Sequence, residues 1–234
     1  QRFGWKRWQA RLLLTFFLGV DASFLVANLT KLDSGGWIPL AIAGAVYVCM
    51  TTWREGREIL TRLTQSVTLP IELFLADLSR NHLLRVPGTA VFMAENPEGV
   101  PVVLLHHLKH CKSLHKQVIL LSVMRAQQPV ISDGNRMSVV NLGQGVFRLT
   151  WRHGFMEHVH VPTAIQEAVR TGLIEGGPVS YYLGHETVMT SGHARMRWWR
   201  KVVFTVLQRN ARSATEFFGL PPGRVVELGA QVEL

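Results

Sequence analysis

The sequence predicts an α-helical membrane hairpin followed by a cytoplasmic α/β domain, and three observations support this fold class. Two apolar segments, 12–30 and 38–53, are separated by a short polar loop. Basic residues flank the pair, and β-type and helical patterns alternate from residue 85 onward. The predicted organisation is a cytoplasmic juxtamembrane segment (1–11), a transmembrane helix (12–30), an external loop (31–37), a second transmembrane helix (38–53), an amphipathic connector (54–84) and the α/β domain (85–234).

The two apolar segments differ in length. The first holds roughly 19 residues, enough to cross a hydrocarbon layer of ~30 Å. The second holds roughly 15 residues and reaches only part of the way, but Trp37 and Trp53 stand where interfacial side chains are expected. Gly35 and Gly36 form the turn between them, and Pro39 suits the first turn of the following helix. Together the segments predict a helical hairpin.

The formal net charge of +9 would ordinarily indicate a nucleic-acid partner. The positions of the charges favour a membrane explanation, because the loop between the apolar segments holds only Lys31, which Asp33 balances. This distribution predicts that both ends of the hairpin lie in the cytoplasm, and no nucleic-acid partner is expected. The basic residues that flank the hairpin are Arg2, Lys6, Arg7, Arg11, Arg54, Arg57 and Arg62.

Two polar residues in the first apolar segment are the candidate site residues. An ionised Asp21 near the middle of the membrane would cost at least ~2.5 kcal/mol, so it should face protein or water. Asp21 and Asn28 could form part of an ion or proton relay, or they could hydrogen-bond to a neighbouring helix in a packing role. The packing role is favoured, because the sequence shows no partner for an isolated acid.

The connector has the periodicity of an amphipathic helix, with charged residues between its apolar positions. Its apolar side could lie on the bilayer surface, on a partner chain or on the domain that follows, and the last is favoured. Pro70 is expected to break or kink this element. The apolar positions are Ile59, Leu63, Val67, Ile71, Phe74 and Leu75.

The remaining chain alternates short β-branched runs with helical ones, which is typical of an α/β domain. About 150 residues are sufficient for one domain of this class. The predicted strands are 89–94, 117–124, 136–142, 145–151, 179–190 and 224–233, and the predicted helices are 100–114, 162–171 and 196–218.

One predicted helix carries residues of the kind that bind metals. His106 with His110, His107 with Cys111, and Cys111 with His115 are each spaced i, i+4, as a helical zinc site would require. Nearby lysines at 109, 112 and 116 favour a solvated basic face over a zinc site.

No motif makes a case for an enzyme or for a bound cofactor. The sequence has no phosphate-binding loop, dinucleotide fingerprint or nucleophile elbow. Its two cysteines provide no disulfide framework. We therefore assign no catalytic, cofactor-binding or metal-binding residue. The chain starts with Gln1, so we expect a fragment or a processed product of a longer protein. A signal peptide is the weaker interpretation of the first apolar segment, because a second segment follows it.

Several short motifs occur in an order that resembles the Kup/HAK/KT family of potassium uptake transporters. Near the hairpin these are Ala27-Asn28-Leu29, Gly35-Gly36-Trp37-Ile38-Pro39-Leu40, Met50-Thr51-Thr52-Trp53 and Gly56-Arg57. In the α/β domain they are Pro87-Gly88-Thr89-Ala90-Val91-Phe92, Leu105-His106, Leu108-Lys109-His110, Gly154-Phe155-Met156-Glu157, Ser180-Tyr181-Tyr182-Leu183-Gly184, Trp199-Arg200, Arg209-Asn210-Ala211, Phe217-Phe218 and Leu220-Pro221-Pro222 with Arg224-Val225-Val226-Glu227-Leu228-Gly229.

The resemblance implies the C-terminal portion of a bacterial potassium transporter, including the last two helices of an inverted-repeat membrane bundle. It implies potassium–proton symport, a homodimer, contact with membrane lipid, and residence in the inner membrane with the α/β domain in the cytoplasm. The residues that bind the transported ion would lie in an N-terminal core outside this chain. An alternative implied by the family is a regulatory nucleotide-binding domain that senses, for example, cyclic di-AMP. A catalytic role for the cysteine–histidine helix is the least favoured hypothesis.

Overall fold

The computed structural model describes residues 7–30, 32–66, 69–81, 83–189 and 196–233. The chain divides into two compact units, Gln1–Arg54 and Glu55–Leu234. Some positions used in the predictions lie outside the described residues, namely Arg2, Lys6, Lys31, Val67 and Thr190.

One helix, a short turn and the first part of a second helix, as far as Arg54, form the first unit. Helix α1 (Arg7–Leu29) is followed by a π-helical turn (Leu32–Gly36) and by helix α2 (Trp37–Ser66). Within the described residues, one helical segment, Trp8–Leu29, is long and apolar enough to cross a membrane, with a mean hydropathy of 1.9. All its side chains are exposed in this chain. Such an apolar surface requires lipid or further helices to cover it.

Helix α2 is longer than the predicted second transmembrane helix. It continues past residue 53 to Ser66, so the predicted span and the first part of the connector are one uninterrupted helix. The chain resumes its helical course at α3 (Ile71–Arg80), and Pro70 stands at the N-cap of this helix. Proline fits there because the first helical turn does not need its missing N–H.

The second unit contains a six-stranded sheet. Its strands are β1 (Leu84–Met93), β2 (Ser113–Arg125), β3 (Met137–Gly143), β4 (Val146–His153), β5 (Val179–Met189) and β6 (Val225–Glu233). Its further helices are α4 (Val102–Cys111), α5 (Val161–Arg170), α6 (Trp198–Arg209) and the short α7 (Ala214–Phe217).

The strand order in the sheet is β3-β4-β2-β1-β5-β6. All neighbouring strands are parallel except β3 and β4, which form an antiparallel pair. From β1 the chain builds outward through β2 to β4, and it then returns to add β5 and β6 on the other side of β1. The side on which new strands are added therefore changes between β1 and β5. Open parallel sheets commonly bind ligands at such a position.

Each face of the sheet is covered by a separate apolar core. On one face, α3 and α4 pack against the central strands, and α3 contributes the buried side chains of Ile71, Phe74 and Leu78. On the other face, α5 contributes Val161 and Ile165. The apolar side of α3 thus lies on the domain that follows, which is the favoured one of the three predicted locations.

Two predicted helices have different boundaries in the structure. The helix predicted over 100–114 ends at Cys111, because Lys112 adopts a left-handed conformation with φ of 50° and Ser113 begins β2. The helix predicted over 196–218 is two helices, α6 and α7. The second of these starts after Ser213, whose side chain accepts a hydrogen bond from the Glu216 N–H.

Candidate functional site

Asp21 and Asn28, the predicted site residues, both lie on α1. They are two helical turns apart and therefore share one side of the helix. Both are exposed, and within the described residues the Asp21 carboxylate has no hydrogen-bond or ion-pair partner. The neighbouring hydroxyls are satisfied locally, because Thr15 and Ser23 donate to carbonyl oxygens one turn earlier, each over 2.9 Å. A relay or packing role for Asp21 and Asn28 stays a prediction.

A separate group of residues, both charged and apolar, lies where the last turns of α2 pack on α6. The Arg200 guanidinium donates a hydrogen bond to the Glu55 carboxylate. These side chains are only 25% and 36% exposed. The partial burial strengthens a charge-assisted hydrogen bond relative to an ion pair in open solvent.

Gly56 allows the two helices to approach closely. A Cβ atom built on Gly56 would overlap the ring of Phe204, which is fully buried. Leu60, one turn further along α2, is 1% exposed. The segment of α2 that begins at Glu55 is therefore an integral part of the second unit. We call the set Glu55, Gly56, Arg200 and Phe204 the exit-helix cluster.

The same segment of α2 also contacts the loop that follows β1, beside the position where the strand order changes direction. The Arg57 guanidinium lies 3.3 Å from the carboxylate of Glu95, in the loop between β1 and α4. Both side chains are largely exposed, so this ion pair contributes at most about 1 kcal/mol.

The residues of this loop do not suit a phosphate site between the ends of β1 and β5. The loop carries two carboxylates, Glu95 and Glu98, and a proline, Pro101, at the N-cap of α4. Phosphate sites in such sheets use glycine-rich loops and the free N–H groups of a helix N-terminus. Carboxylates at this position repel phosphate. The structure therefore offers no observation in favour of the nucleotide-sensing alternative here.

The histidines of α4 do not all lie on a basic surface. His110 and Cys111 are exposed, whereas His107 is only 6% exposed. The ring of His107 lies 4.8 Å from that of Tyr182 and 5.6 Å from that of Phe92, measured between centroids. The prediction of a solvated basic face is therefore wrong for His107, which is a core residue.

Burial is the largest influence on the pKa values of two histidines in this aromatic cluster, His107 and His115. Burial lowers the pKa of His107, and the nearby His115 lowers it further, although a backbone hydrogen bond with Ser113 acts in the opposite direction. Burial also lowers the pKa of His115, whose Nδ1 is buried without a hydrogen-bond partner in the described part of the chain. Both imidazoles thus favour the neutral form more than free histidine does.

These positions do not assemble a metal site. His115 belongs to β2, so the predicted helical pair of Cys111 with His115 does not exist. Among the described residues, no group of three or more histidine, cysteine, aspartate or glutamate side chains is arranged to hold a metal ion.

A shallow depression lies at the carboxyl ends of β2 and β4, with Gln127, Gln128, Ser132, Asn135 and Arg152 among its lining residues. Ile131 also lines it, and its N–H donates to the Glu157 carboxylate over 3.4 Å. The same carboxylate accepts hydrogen bonds from Arg136 over 2.7 Å and from the Gly154 N–H over 2.6 Å. The Gly154 hydrogen bond and the Arg136 guanidinium lower the pKa of Glu157.

Comparisons with known proteins assign both parts of the chain. Residues 1–58 match the model of the K+ potassium transporter integral membrane domain, and residues 87–234 match that of the K+ potassium transporter C-terminal domain. This chain belongs to the K+ potassium transporter family. The resemblance noted from short motifs is confirmed, as is the fold class of N-terminal membrane-domain helices followed by an α/β domain. The family consists of transporters, so the prediction that the chain is not an enzyme is also confirmed.

Named members of the family cover the whole chain. The "Probable potassium transport system protein Kup" of Anaeromyxobacter dehalogenans (strain 2CP-C) is 46% identical over 241 residues, an alignment that covers 100% of this chain and 36% of the relative. The protein of the same name from Myxococcus xanthus is 42% identical and covers 99% of the chain. This chain therefore spans about a third of the length of the curated relatives it matches. No solved structure matches the chain.

Sequence reasoning did not identify the exit-helix cluster. Two of the family motifs contain its residues, since Gly56-Arg57 and Trp199-Arg200 were both noted. The motifs alone could not show that α2 and α6 meet, because Glu55 and Arg200 are separated by 145 positions.

Proposed function

We propose that this chain is the C-terminal part of a bacterial potassium transporter of the inner membrane, with its α/β domain in the cytoplasm. The names of the relatives and the order of the two matched domains support this assignment. The transported potassium ion would bind in the part of the transporter that corresponds to the relatives' remaining length, outside the region aligned with this chain.

The observation that carries the proposal is the continuity of α2. This helix starts within the segment that matches the membrane domain, and from Glu55 onward it packs into the α/β unit through the exit-helix cluster. Ion pairing of Glu55 with Arg200 and close packing of Gly56 on Phe204 hold the part of α2 from Glu55 onward within the α/β unit. The domain therefore supports, and can regulate, a membrane core without lining the ion path.

Proton symport and a homodimer belong to the proposal as well. Within it, Asp21 and Asn28 are polar packing groups that contact other helices of the membrane domain. A carboxylate without a local partner is costly in a membrane unless such a neighbour satisfies it.

A chimera tests the proposal directly. The segment of the Anaeromyxobacter dehalogenans relative that aligns with this chain is replaced by the chain, and the chimera is expressed in bacteria that lack potassium uptake. We expect growth at limiting potassium, and uptake that a protonophore abolishes. The unmodified relative is the positive control, and the relative truncated before the exchanged segment is the negative one. Failure to grow, with the chimera present in the membrane at the level of the unmodified relative, would contradict the proposal.

The same chimera separates the two roles of Asp21. If the residue packs, Asp21→Asn retains potassium uptake, because the amide still hydrogen-bonds, whereas Asp21→Leu lowers the amount of chimera in the membrane. Loss of proton-dependent uptake in Asp21→Asn, with the amount of protein unchanged, would instead show a relay.

A further inference from the structure

Helix α6 carries an apolar stripe on its outer side. Trp198, Val202 and Val206 recur every four residues and therefore lie along one side of the helix. Their side chains are 77%, 51% and 53% exposed. The other side of α6 buries Phe204 within the exit-helix cluster. In the part of the chain that the structure describes, the stripe is therefore open while the opposite side is packed.

The sequence around the stripe is basic. No aspartate or glutamate occurs in the sequence between Thr187 and Thr215. Arg197 and Arg209, at the two ends of α6, are exposed. A helix that combines an exposed tryptophan, apolar neighbours and cationic ends has the composition of helices that lie at the surface of a bilayer. The other basic residues of this segment are Arg195, Arg200, Lys201 and Arg212.

The residues of α2 that contact α6 come just after the predicted membrane-spanning segment in the sequence. Arg200 pairs with Glu55, and Phe204 packs on Gly56. These partners follow Trp53 by two and three positions, which corresponds to a rise of about 3–5 Å along a helix. Because α2 is continuous from Trp37 to Ser66, the residues of α2 that contact α6 lie within one helical turn of Trp53 along the helix.

We propose that the outer side of α6 docks on the anionic surface of the inner leaflet, with Trp198 and Val202 entering the headgroup layer and Arg197 and Arg209 contacting lipid phosphates. The proposal rests on the proposed function, because it takes segment 38–53 as membrane-spanning. Charge complementarity favours lipid over a second copy of this chain, since the cationic ends of the stripe would face each other in a symmetric pair. Three side chains also bury far less than the ~800 Å² per partner of a stable protein interface.

Collision accessibility of a spin label tests the proposal. The full chain, with Cys49→Ala and Cys111→Ser as background, carries Val202→Cys and is reconstituted in nanodiscs with or without phosphatidylglycerol. Val46→Cys reports whether the predicted span is inserted. Met156→Cys is the aqueous control, because Met156 is also an exposed apolar residue, at 72%, but lies elsewhere in the α/β domain. We expect the label at 202 to collide with oxygen in preference to an aqueous nickel chelate when phosphatidylglycerol is present. Arg197→Glu with Arg209→Glu should remove this preference.

Three other results for the label at 202 would overturn the proposal, and each identifies a different environment of α6. A label at 202 that behaves like the one at 156 shows that α6 faces water. A label that collides with neither reagent and shows dipolar broadening, removed by dilution with unlabelled chain, shows a second copy on the stripe. Loss of the oxygen preference in the full-length chimera shows that the rest of the transporter covers it. An aqueous label at 46 would count against membrane insertion, and hence against the proposed function itself.

Discussion

The Arg136 guanidinium lies 2.7 Å from the Glu157 carboxylate, and both side chains are mostly buried, at 20% and 15% exposed. Glu157 also accepts from the N–H groups of Gly154 and Ile131. One carboxylate therefore joins the loop after β2 to the turn after β4. The arrangement works only when this carboxyl group is ionised.

This dependence predicts sensitivity to acid. The hydrogen bond from Gly154, with help from Arg136, places the pKa of folded Glu157 below the ordinary 4.5. The stabilising contribution is therefore complete above pH 4.5 and is lost as the pH falls through the lower folded pKa. In Glu157→Gln the thermal midpoint of the full chain in detergent should be lower than that of the parent at pH 7, and the difference should shrink toward pH 3. An undiminished difference at pH 3 would contradict an ionised carboxyl.

Close approach at Gly56 predicts intolerance of even one added methyl group. In Gly56→Ala the overlap with Phe204 costs about 1–3 kcal/mol, against a gain of about 1 kcal/mol in helix propensity. We expect net destabilisation of up to about 2 kcal/mol, seen as a fall of several degrees in Tm. The matched control is Gly44→Ala on the same helix, where a Cβ has no neighbour within 4 Å, and which should not lower Tm. Adding Phe204→Leu should recover part of the loss in Gly56→Ala.

Ion pairing between Glu55 and Arg200 is best measured as a coupling energy. A double-mutant cycle with Glu55→Gln and Arg200→Gln should give a favourable coupling of about 1 kcal/mol, since the pair is partly shielded from solvent. The cycle is needed because either residue can make other contacts. The exposed pair Arg212 and Glu216, 63% exposed on both sides, is the control and should give at most about 0.5 kcal/mol. Equal couplings for the two pairs would mean that burial does not strengthen the first.

Buried His107 predicts a second, milder sensitivity to pH. Its folded pKa lies below the ordinary 6.5, chiefly because of burial, so the folded state binds fewer protons than the unfolded chain. Stability is therefore complete above pH 6.5 and declines as the pH falls below it. In His107→Phe the fall in Tm between pH 7 and pH 5.5 should be smaller than in the parent. The control His110→Phe, on the exposed side of α4, should leave that fall unchanged.

Much of the fold could be predicted because it depends on local pattern. The apolar run of α1, the β-branched runs of the strands and the proline at the start of α5 each indicate their element within a few residues. The division of 196–218 into two helices also had a local signal, since Ser213 and Glu216 form the spacing of a capping box. The large apolar residues that predict this helix stop at Leu207 and resume only at Phe217, so the apolar pattern did not require one helix through both.

Burial of His107 had no such signal, because it depends on two rings brought from separate strands. The i, i+4 spacing on α4 correctly describes which residues share a side of the helix. It cannot say which side meets the sheet, and that is decided by Phe92 on β1 and Tyr182 on β5.

By itself, the sequence determined the class of protein: a long apolar helix with basic flanks, an α/β domain, and motifs specific enough to indicate the transporter family. Such features depend on composition and short-range periodicity, and both can be read from a single sequence. Only the tertiary structure decided that α2 continues into the α/β unit and meets α6 through Glu55, Gly56, Arg200 and Phe204. Contacts between residues 145 positions apart depend on the order of strands in the sheet, and that order is a property of packing rather than of local pattern.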